Sequence, residues 1–414
     1  MKNIIILLAS LFIGCSTQLY QTQTQIDAGD LRKHVTFLAS EELEGRDAGS
    51  EFEIISSNYV VNAFKQYGLE TQIQSFEYNS IIDTMHKENR FSQNILGFIE
   101  GHGNLKDEWI IIGAHVDHLG WGGHGTASMV PNVHAIHNGA DDNASGVSAL
   151  IEIAELLINQ PKYDNQRSVM LIAFGAEEVG LIGSDYYVKN PIVSLENTVA
   201  MLNMDMIGRL TDNTLIVGNT GTAKLWKNLV TEQNTGNLKL VYNDEGFATS
   251  DHESFRSKGI PVLFFFTGAH KDYHRPSDDI ELINFTGLTK VTKLVYRTLS
   301  QLTLKNDIPV FIKSQVRKHK GPKGDRKFSI GIIPEFAFDG VGLKIKGVRK
   351  DGSAETSGLI DGDVIIYFNG IDVNNIYDYM TALQNITSSA ETTIRVNRDN
   401  SIIEMKIIPM KSKN

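Results

Sequence analysis

The sequence predicts an α/β protein, with a mostly parallel central sheet flanked by helices and followed by a small β-rich unit. Three observations carry this. From Leu31 to about Leu304, short apolar runs alternate with stretches of helical spacing, the pattern of strands joined by helical crossovers. Four of those runs, Trp109–Gly113, Val169–Phe174, Val199–Met204 and Pro261–Phe266, are apolar almost throughout, as strands buried on both faces are. Beyond a basic segment the composition changes to short strands with many glycines. A length of 414 residues suits two or three domains rather than one core. Hydrophobic content of 41% and charged content of 21% are those of a soluble globular chain. The net charge of −10 leaves no basic footprint for a general nucleic-acid binder.

Taken in order, the first element is a signal. Lys2 precedes the apolar run Ile4–Ile13, too short to span a bilayer but suited to the core of a signal peptide. The run ends in Phe12-Ile13-Gly14-Cys15-Ser16, which resembles the lipobox where bacterial lipoproteins are cleaved and acylated. Residues 1–15 are therefore expected to be a lipoprotein signal. The mature chain is expected to be exported and lipid-anchored to a bacterial membrane, on its periplasmic or cell-surface side. Cys15 is the sole cysteine, so no disulfide forms and no thiolate remains for catalysis or metal. Residues 16–30 read as a polar tether and 31–304 as the main domain. Within it, residues 50–67 have helical spacing, with Ile54, Ile55, Val60, Val61 and Phe64 apolar and Gly68 as the stop. Val147–Ile158 reads as a largely apolar helix closed by Pro161. Residues 305–327 form a linker whose segment 313–327 carries seven Lys and Arg against one Asp. Residues 328–414 form the second unit, and its separation by a linker implies that it acts apart from the main domain.

Chemistry concentrates at strand ends. The run Trp109–Gly113 leads into Ala114-His115-Val116-Asp117-His118, and Val169–Phe174 leads into Gly175-Ala176-Glu177-Glu178. The strand ending at Met204 leads into Asp205, and Pro261–Phe266 leads to a loop containing His274. In parallel α/β sheets ligands bind outside the carboxyl ends of the strands, so all four deliver to one edge. A Gly-rich loop, Gly139-Ala140-Asp141-Asp142-Asn143-Ala144-Ser145-Gly146, lies just before a helix. Singly these are ordinary features: a His-x-Asp pair, a solvated Glu-Glu corner, an Asp-Asp-Asn turn or N-cap. Together they are metal donors, since zinc takes His nitrogen and carboxylate oxygen and a catalytic site keeps an open position. Spacing alone does not choose between Asp141 and Asp142.

These segments occur together with Leu38–Arg46 (LASEELEGR), Glu177–Ser184 (EEVGLIGS), Asn203–Gly208 (NMDMIG), Ser250-Asp251-His252 and Asp272–Asp278 (DYHRPSD). In this order over residues 31–300, the chain resembles metallopeptidase family twenty-eight, the bacterial di-zinc aminopeptidases. The resemblance implies a zinc exopeptidase type of fold and two zinc ions per chain. His115 and Asp205 would hold one ion, Glu178 and His274 the other, and Asp142 would bridge them. Asp117 would accept the far N–H of His115 and fix its orientation. Glu177 matches the general base, which takes a proton from water and returns it to the leaving amine. Substrates would be peptides with a free N-terminus. Asp251 and His252 are expected to line the site, with Trp121, the stretch 122–125 and Phe247 at its rim.

The second unit resembles a PDZ domain. Phe328-Ser329-Ile330-Gly331-Ile332 looks like its carboxylate-binding loop, and Ser353–Leu359, Gly362–Ile366 and Asn369-Gly370 continue the pattern, with Ser353 where proline is usual. Peptide or protein C-termini are the partners this implies. Three alternatives stay open. A glutaminyl cyclase of the same fold keeps one zinc, which the presence of both His115 and Asp205 opposes. A carboxypeptidase or dipeptidase needs a cation for the substrate carboxylate, and Arg209 and Arg275 lie near the motifs. A catalytically dead peptide-binding lipoprotein is opposed by the full ligand set and Glu177.

Overall fold

The computed structural model describes residues 25–81, 87–123, 126–244, 246, 249–313, 328–335, 338 and 340–411. The expected signal peptide, the first part of the tether and most of the basic linker lie outside the described residues, as does Phe247. Among the described residues no helix is long and apolar enough to cross a membrane.

The main unit opens with helices α1 (Ala28–Leu38) and α2 (Glu51–Gln66) and the antiparallel pair β1 (Glu70–Ile81) and β2 (Lys87–Ile99). Ser50 caps α2 by accepting the Glu53 N–H, and Gly68 follows its end at φ +87°, a conformation that glycine enters without strain. Strands and helices then alternate: β3 (Trp109–His115), α3 (Gly146–Asn159), β4 (Ser168–Phe174), α4 (Ile182–Lys189) and β5 (Thr198–Met204). The remainder is β6 (Thr214–Gly218), α5 (Trp226–Gln233), β7 (Lys239–Tyr242), α6 (His252–Ser257), β8 (Val262–Phe266) and α7 (Phe285–Leu304). The helices and apolar strands expected from the sequence appear within two residues of their expected ends.

The eight-stranded sheet runs β1-β2-β4-β3-β5-β8-β6-β7. Its centre, β4-β3-β5-β8, is parallel, but β1–β2, β2–β4 and β6–β8 pair antiparallel. The expected mostly parallel sheet is therefore a mixed one. Helical crossovers, which enforce parallel pairing, join the central strands and the edge pair β6–β7, while the other neighbours meet antiparallel. Those strands are buried on both faces, and their side chains alternate between two cores. Ile110, Ile112 and Ala114 join a large cluster with Leu31 of α1, Phe64 of α2, Leu150 of α3 and Val295 of α7. Ile111 joins Met170, Tyr187 of α4 and Phe255 of α6 on the opposite face.

The C-terminal unit comprises β9 (Phe328–Ser329), β10 (Ile332–Pro334), β11 (Leu343–Val348), α8 (Ser353–Thr356) and β12 (Val364–Phe368). It continues with β13 (Ile371–Asp372), α9 (Ile376–Gln384), β14 (Thr392–Arg398), β15 (Ser401–Ile407) and β16 (Met410–Lys411). Its main sheet runs β10-β11-β12-β14-β15, and it has a core of its own, with Ile330, Ile345, Ile365, Phe368 and Ile394 fully buried. The unit does not stand apart as the linker suggested. Ile333 is buried in a cluster with Met129, Met206, Ile216, Phe264 and Phe266 of the main unit. Three hydrogen bonds flank it: Lys350 N–H to the Met129 carbonyl (3.0 Å), Arg275 Nη2 to the Val348 carbonyl (2.9 Å) and Asn132 Nδ2 to Asp351 Oδ2 (2.7 Å).

Candidate active site

Strand order places β3 between β4 and β5: the crossover through α3 leads from β3 to β4, and the one through α4 returns past β3 to β5, opening a crevice at the carboxyl end of β3. His115 ends β3, Asp205 directly follows β5, Glu177 and Glu178 lie just beyond β4, and His274 lies in the loop after β8. Asp142 comes from the loop before α3 and sits among them. Its Oδ1 is 3.3 Å from His115 Nε2, which is itself 3.5 Å from Asp205 Oδ1. Its Oδ2 is 3.1 Å from His274 Nε2, which is 3.2 Å from Glu178 Oε2. The two oxygens of one carboxylate thus face two separate donor groups. Asp141, the alternative that spacing left open, turns away: its Oδ1 accepts the Gly208 N–H (2.6 Å) and its Oδ2 lies 3.1 Å from His270 Nε2.

Backbone carbonyls set both histidines. The Nδ1–H of His115 donates to the Asp117 carbonyl (3.2 Å) and that of His274 to the Ala127 carbonyl (3.0 Å). A carbonyl only accepts, so each neutral ring turns the lone pair of Nε2 toward carboxylates. Lone pairs facing lone pairs require a cation between them. The buried Nε2 of His115 and Oδ1 of Asp205 have no hydrogen-bond partner, as unfilled ligand atoms would. His115, Asp142 and Asp205 can offer one ligand atom each within 4.8 Å of one another. The residues present therefore fit a metal ion.

Protons can take the place of that cation. Burial opposes ionisation of Asp142, but His115 and His274 in their charged form outweigh it and hold this carboxyl well below its usual range. Burial likewise opposes ionisation of Glu178, yet the charge on His274 brings it to about 2. Burial would lower both histidines, but Glu177 and Asp205 raise His115 well above its ordinary value, and Glu178 and Asp142 raise His274. Glu177 behaves differently. Burial and the neighbouring Glu178 push it well above the usual carboxylate range, against the opposing pull of His115. Its backbone is held by Asp117, while its side chain lines the cavity and makes no hydrogen bond.

Asp117 does not do what the sequence suggested. Its carboxylate is 3.8 Å from His115 Nδ1, beyond hydrogen-bond reach, and accepts instead the N–H groups of Glu177 (2.9 Å) and Glu178 (3.1 Å). It ties the β3 end to the β4 loop, and the main chain takes the histidine. Other residues that position the site were not singled out from the sequence. Arg46, fully buried, donates to the carbonyls of Leu38, Val116, Asn138 and Gly139, joining the β3 end to the Asp142 loop. Glu53 of α2 accepts from Ser92 (2.6 Å) and the Ala176 N–H (3.2 Å), steadying the Glu177 loop. His118 donates from Nδ1 to Glu178 Oε1 (2.7 Å) and forms a second possible donor group with Asp142 and Glu178. Its place in the His115 run, one helical turn's count from His115, was the available signal.

A cavity of about 330 Å³ opens onto these groups. Asp142, Glu177, Glu178, Asp205 and His274 line one part of it, and among the described residues no Lys or Arg lines it. Several expected neighbours are elsewhere. Asp251 and His252 are buried behind the wall rather than in it. Trp121 is 42% exposed, stacks on His134 and donates to Glu44, and neither it nor Gly122 and Gly123 border the cavity. Arg209 is taken up by Asp272 (2.9 Å), and Arg275 binds the C-terminal unit.

Residues 94–299 match the model of peptidase family M28. Aminopeptidase YwaD of Bacillus subtilis is 30% identical over 244 residues, which are 55% of this chain and 49% of that protein. The chain spans about half the length of the curated relatives it matches. A zinc aminopeptidase structure from Bacillus subtilis superposes with a TM-score of 0.57 at 19% identity, over 70% of this chain and 99% of that one. A Zn-dependent exopeptidase from Parabacteroides distasonis gives a TM-score of 0.57 at 19% identity, over 67% and 98%. The sequence matches relate the chain to metallopeptidases, and the structural likeness is one of fold.

Proposed function

We propose that this chain, a relative of the metallopeptidases of family M28, is a zinc-dependent aminopeptidase that binds two zinc ions and hydrolyses the N-terminal peptide bond of peptides. The observation that carries the reading is the gathering of four donor side chains, His115, Asp205, Glu178 and His274, around the two oxygens of Asp142, with Glu177 unpaired beside them. His115 and Asp205 would hold one ion, Glu178 and His274 the other, with Asp142 between. Bound there, zinc supplies Lewis-acid polarisation of the scissile carbonyl and a lowered pKa for water.

The chain's own residues do the rest. Glu177 is free of hydrogen bonds and raised in pKa by burial, so it can accept a proton from water as the hydroxyl adds to the carbonyl carbon. It then passes that proton to the amide nitrogen as the C–N bond breaks, and ends ready for another cycle. Asp117 holds the Glu177 and Glu178 main chain, so the base and its ligand neighbour keep separate directions. Among the described residues the cavity wall holds no Lys or Arg to pair with a substrate carboxylate, which supports recognition of a free amine over a carboxypeptidase.

Around this centre, Cys15 would carry a lipid that anchors the exported chain to a bacterial membrane. The C-terminal unit would be PDZ-like and take peptide or protein C-termini at Ile330–Ile332. The deciding measurement uses aminoacyl chromogenic amides beside their N-acetylated forms. Free-amine substrates are expected to turn over and blocked ones to be inert, whereas cleavage of blocked peptides from their carboxyl end would make the enzyme a carboxypeptidase.

A further inference from the structure

We propose that the C-terminal unit is part of the substrate site: a crevice between β10 and α9 receives a bulky apolar side chain on the leaving side of the scissile bond. This rests on the aminopeptidase reading and names the class of peptide it selects.

The cavity that holds Asp142, Glu177, Glu178 and Asp205 does not end within the main unit. It continues to Phe328, Ile332 and Pro334 on one side and to Ile376, Tyr379 and Met380 of α9 on the other. Ile332, Ile376 and Met380 are only half-buried, so apolar surface borders the same space as the ionisable groups. Burying such surface is favourable, and a bound apolar side chain would do it. Successive strand residues point to opposite faces. Ile332 and Ile333 are consecutive and both line the cavity, and the register shifts between Ile333 and Pro334, so the irregular edge of β10 rather than one face borders it. β10 is the terminal strand of its sheet, and an extended peptide can lie along such an edge.

The wall is held in place. Ile333 is packed into the Met129–Met206–Phe264 cluster, and the Lys350 and Arg275 hydrogen bonds flank it. An aminopeptidase substrate has one residue before the scissile bond and all others after it. Chain running from the ionisable end toward a separate unit is therefore the leaving portion. Apart from Ser329 and the Tyr379 ring, the described residues at this end of the wall are aliphatic or apolar, so the side chain it takes is apolar.

The test measures kcat and KM for the full chain on peptides with a fixed first residue and Gly, Leu, Phe or Asp at the second and third positions. A parallel series of chromogenic amides varies the first residue alone. The wild type is expected to favour Leu or Phe over Gly or Asp at one of the two positions by about 10-fold or more in kcat/KM, since one or two methylenes in an apolar pocket discriminate to that degree. Ile332→Ser and Met380→Ser should each shrink that ratio through KM rather than kcat. The two lie on different elements, and thermal unfolding identifies a variant that has lost its fold, so either one suffices. A wild type indifferent to both positions overturns the proposal and leaves the aminopeptidase reading standing. So do variants that change only the preference for the first residue, or slow every substrate equally. Failure of the wild type to cleave any free-amine substrate removes that reading and the proposal with it.

Discussion

At the scale of single residues, the adjacent pair Glu177 and Glu178 shows how environment divides the work of identical side chains. Glu178 faces His274 and His118 and its pKa is brought down to about 2, while Glu177 has no such partner and is pushed upward. Glu177→Gln keeps the volume and removes the proposed proton acceptor. It is expected to lower kcat by about 10²–10⁴-fold while metal content stays that of the wild type. His115→Ala removes a proposed ligand, so elemental analysis should show metal lost along with activity. Near-normal kcat in Glu177→Gln would take the base role from this residue. The Glu-Glu pair and the two histidines were legible because metal chemistry admits few residue types and strand ends gather them. Arg46 was not, since a buried arginine that binds only carbonyls carries no pattern that differs from a surface one.

At the scale of elements, the short helix α6 is set against β8 by a histidine. His252 is fully buried, stacks on Phe264 at 4.5 Å, and has no hydrogen bond at either ring nitrogen. Burial holds its pKa down to about 4. The unfolded chain protonates this side chain near pH 6.5, before the folded one does, and so binds more protons as pH falls. The stability it confers is thus present above about pH 6.5 and is lost as pH falls toward 4. Between pH 7 and pH 5 the loss is about 2 kcal/mol. His252→Leu should lose correspondingly less over that interval, read as the difference between the two unfolding free energies by denaturant titration. An equal loss in both proteins would mean that the folded histidine titrates normally. The sequence placed this residue in the site because it adjoins Asp251 in a matching segment. Adjacency in sequence does not say which way a helix turns its side chains, and here the first turn points into the core.

At the scale of the whole molecule, the cavity is shared between two units. Ending the chain at Lys313 would expose Met129, Met206, Phe264 and Phe266, which now pack on Ile333. Burying one such aliphatic side chain contributes about 1.5–3 kcal/mol. At about 2 °C or more per kcal/mol, a melting temperature lower by at least ~3 °C is expected, with slower turnover of small amides. Unchanged melting and turnover would show the C-terminal unit to be dispensable for the site.

What the sequence determined by itself was whatever local pattern and donor chemistry can state. Unbroken apolar runs are strands buried on both faces, and β3, β4, β5 and β8 are such strands at nearly the expected limits. His, Asp and Glu at their ends are a metal-donor set whatever lies between them in the chain. Tertiary structure decided the relations that no local pattern encodes. It turned Asp142 rather than Asp141 toward the histidines, because the Gly208 N–H and His270 claim Asp141. It gave the far nitrogen of His115 to a carbonyl and set the Asp117 carboxylate on a neighbouring loop. It also folded a unit beyond a linker back over the cavity, because a linker's composition says that two units are joined, while only the apolar faces they present to each other decide whether they dock.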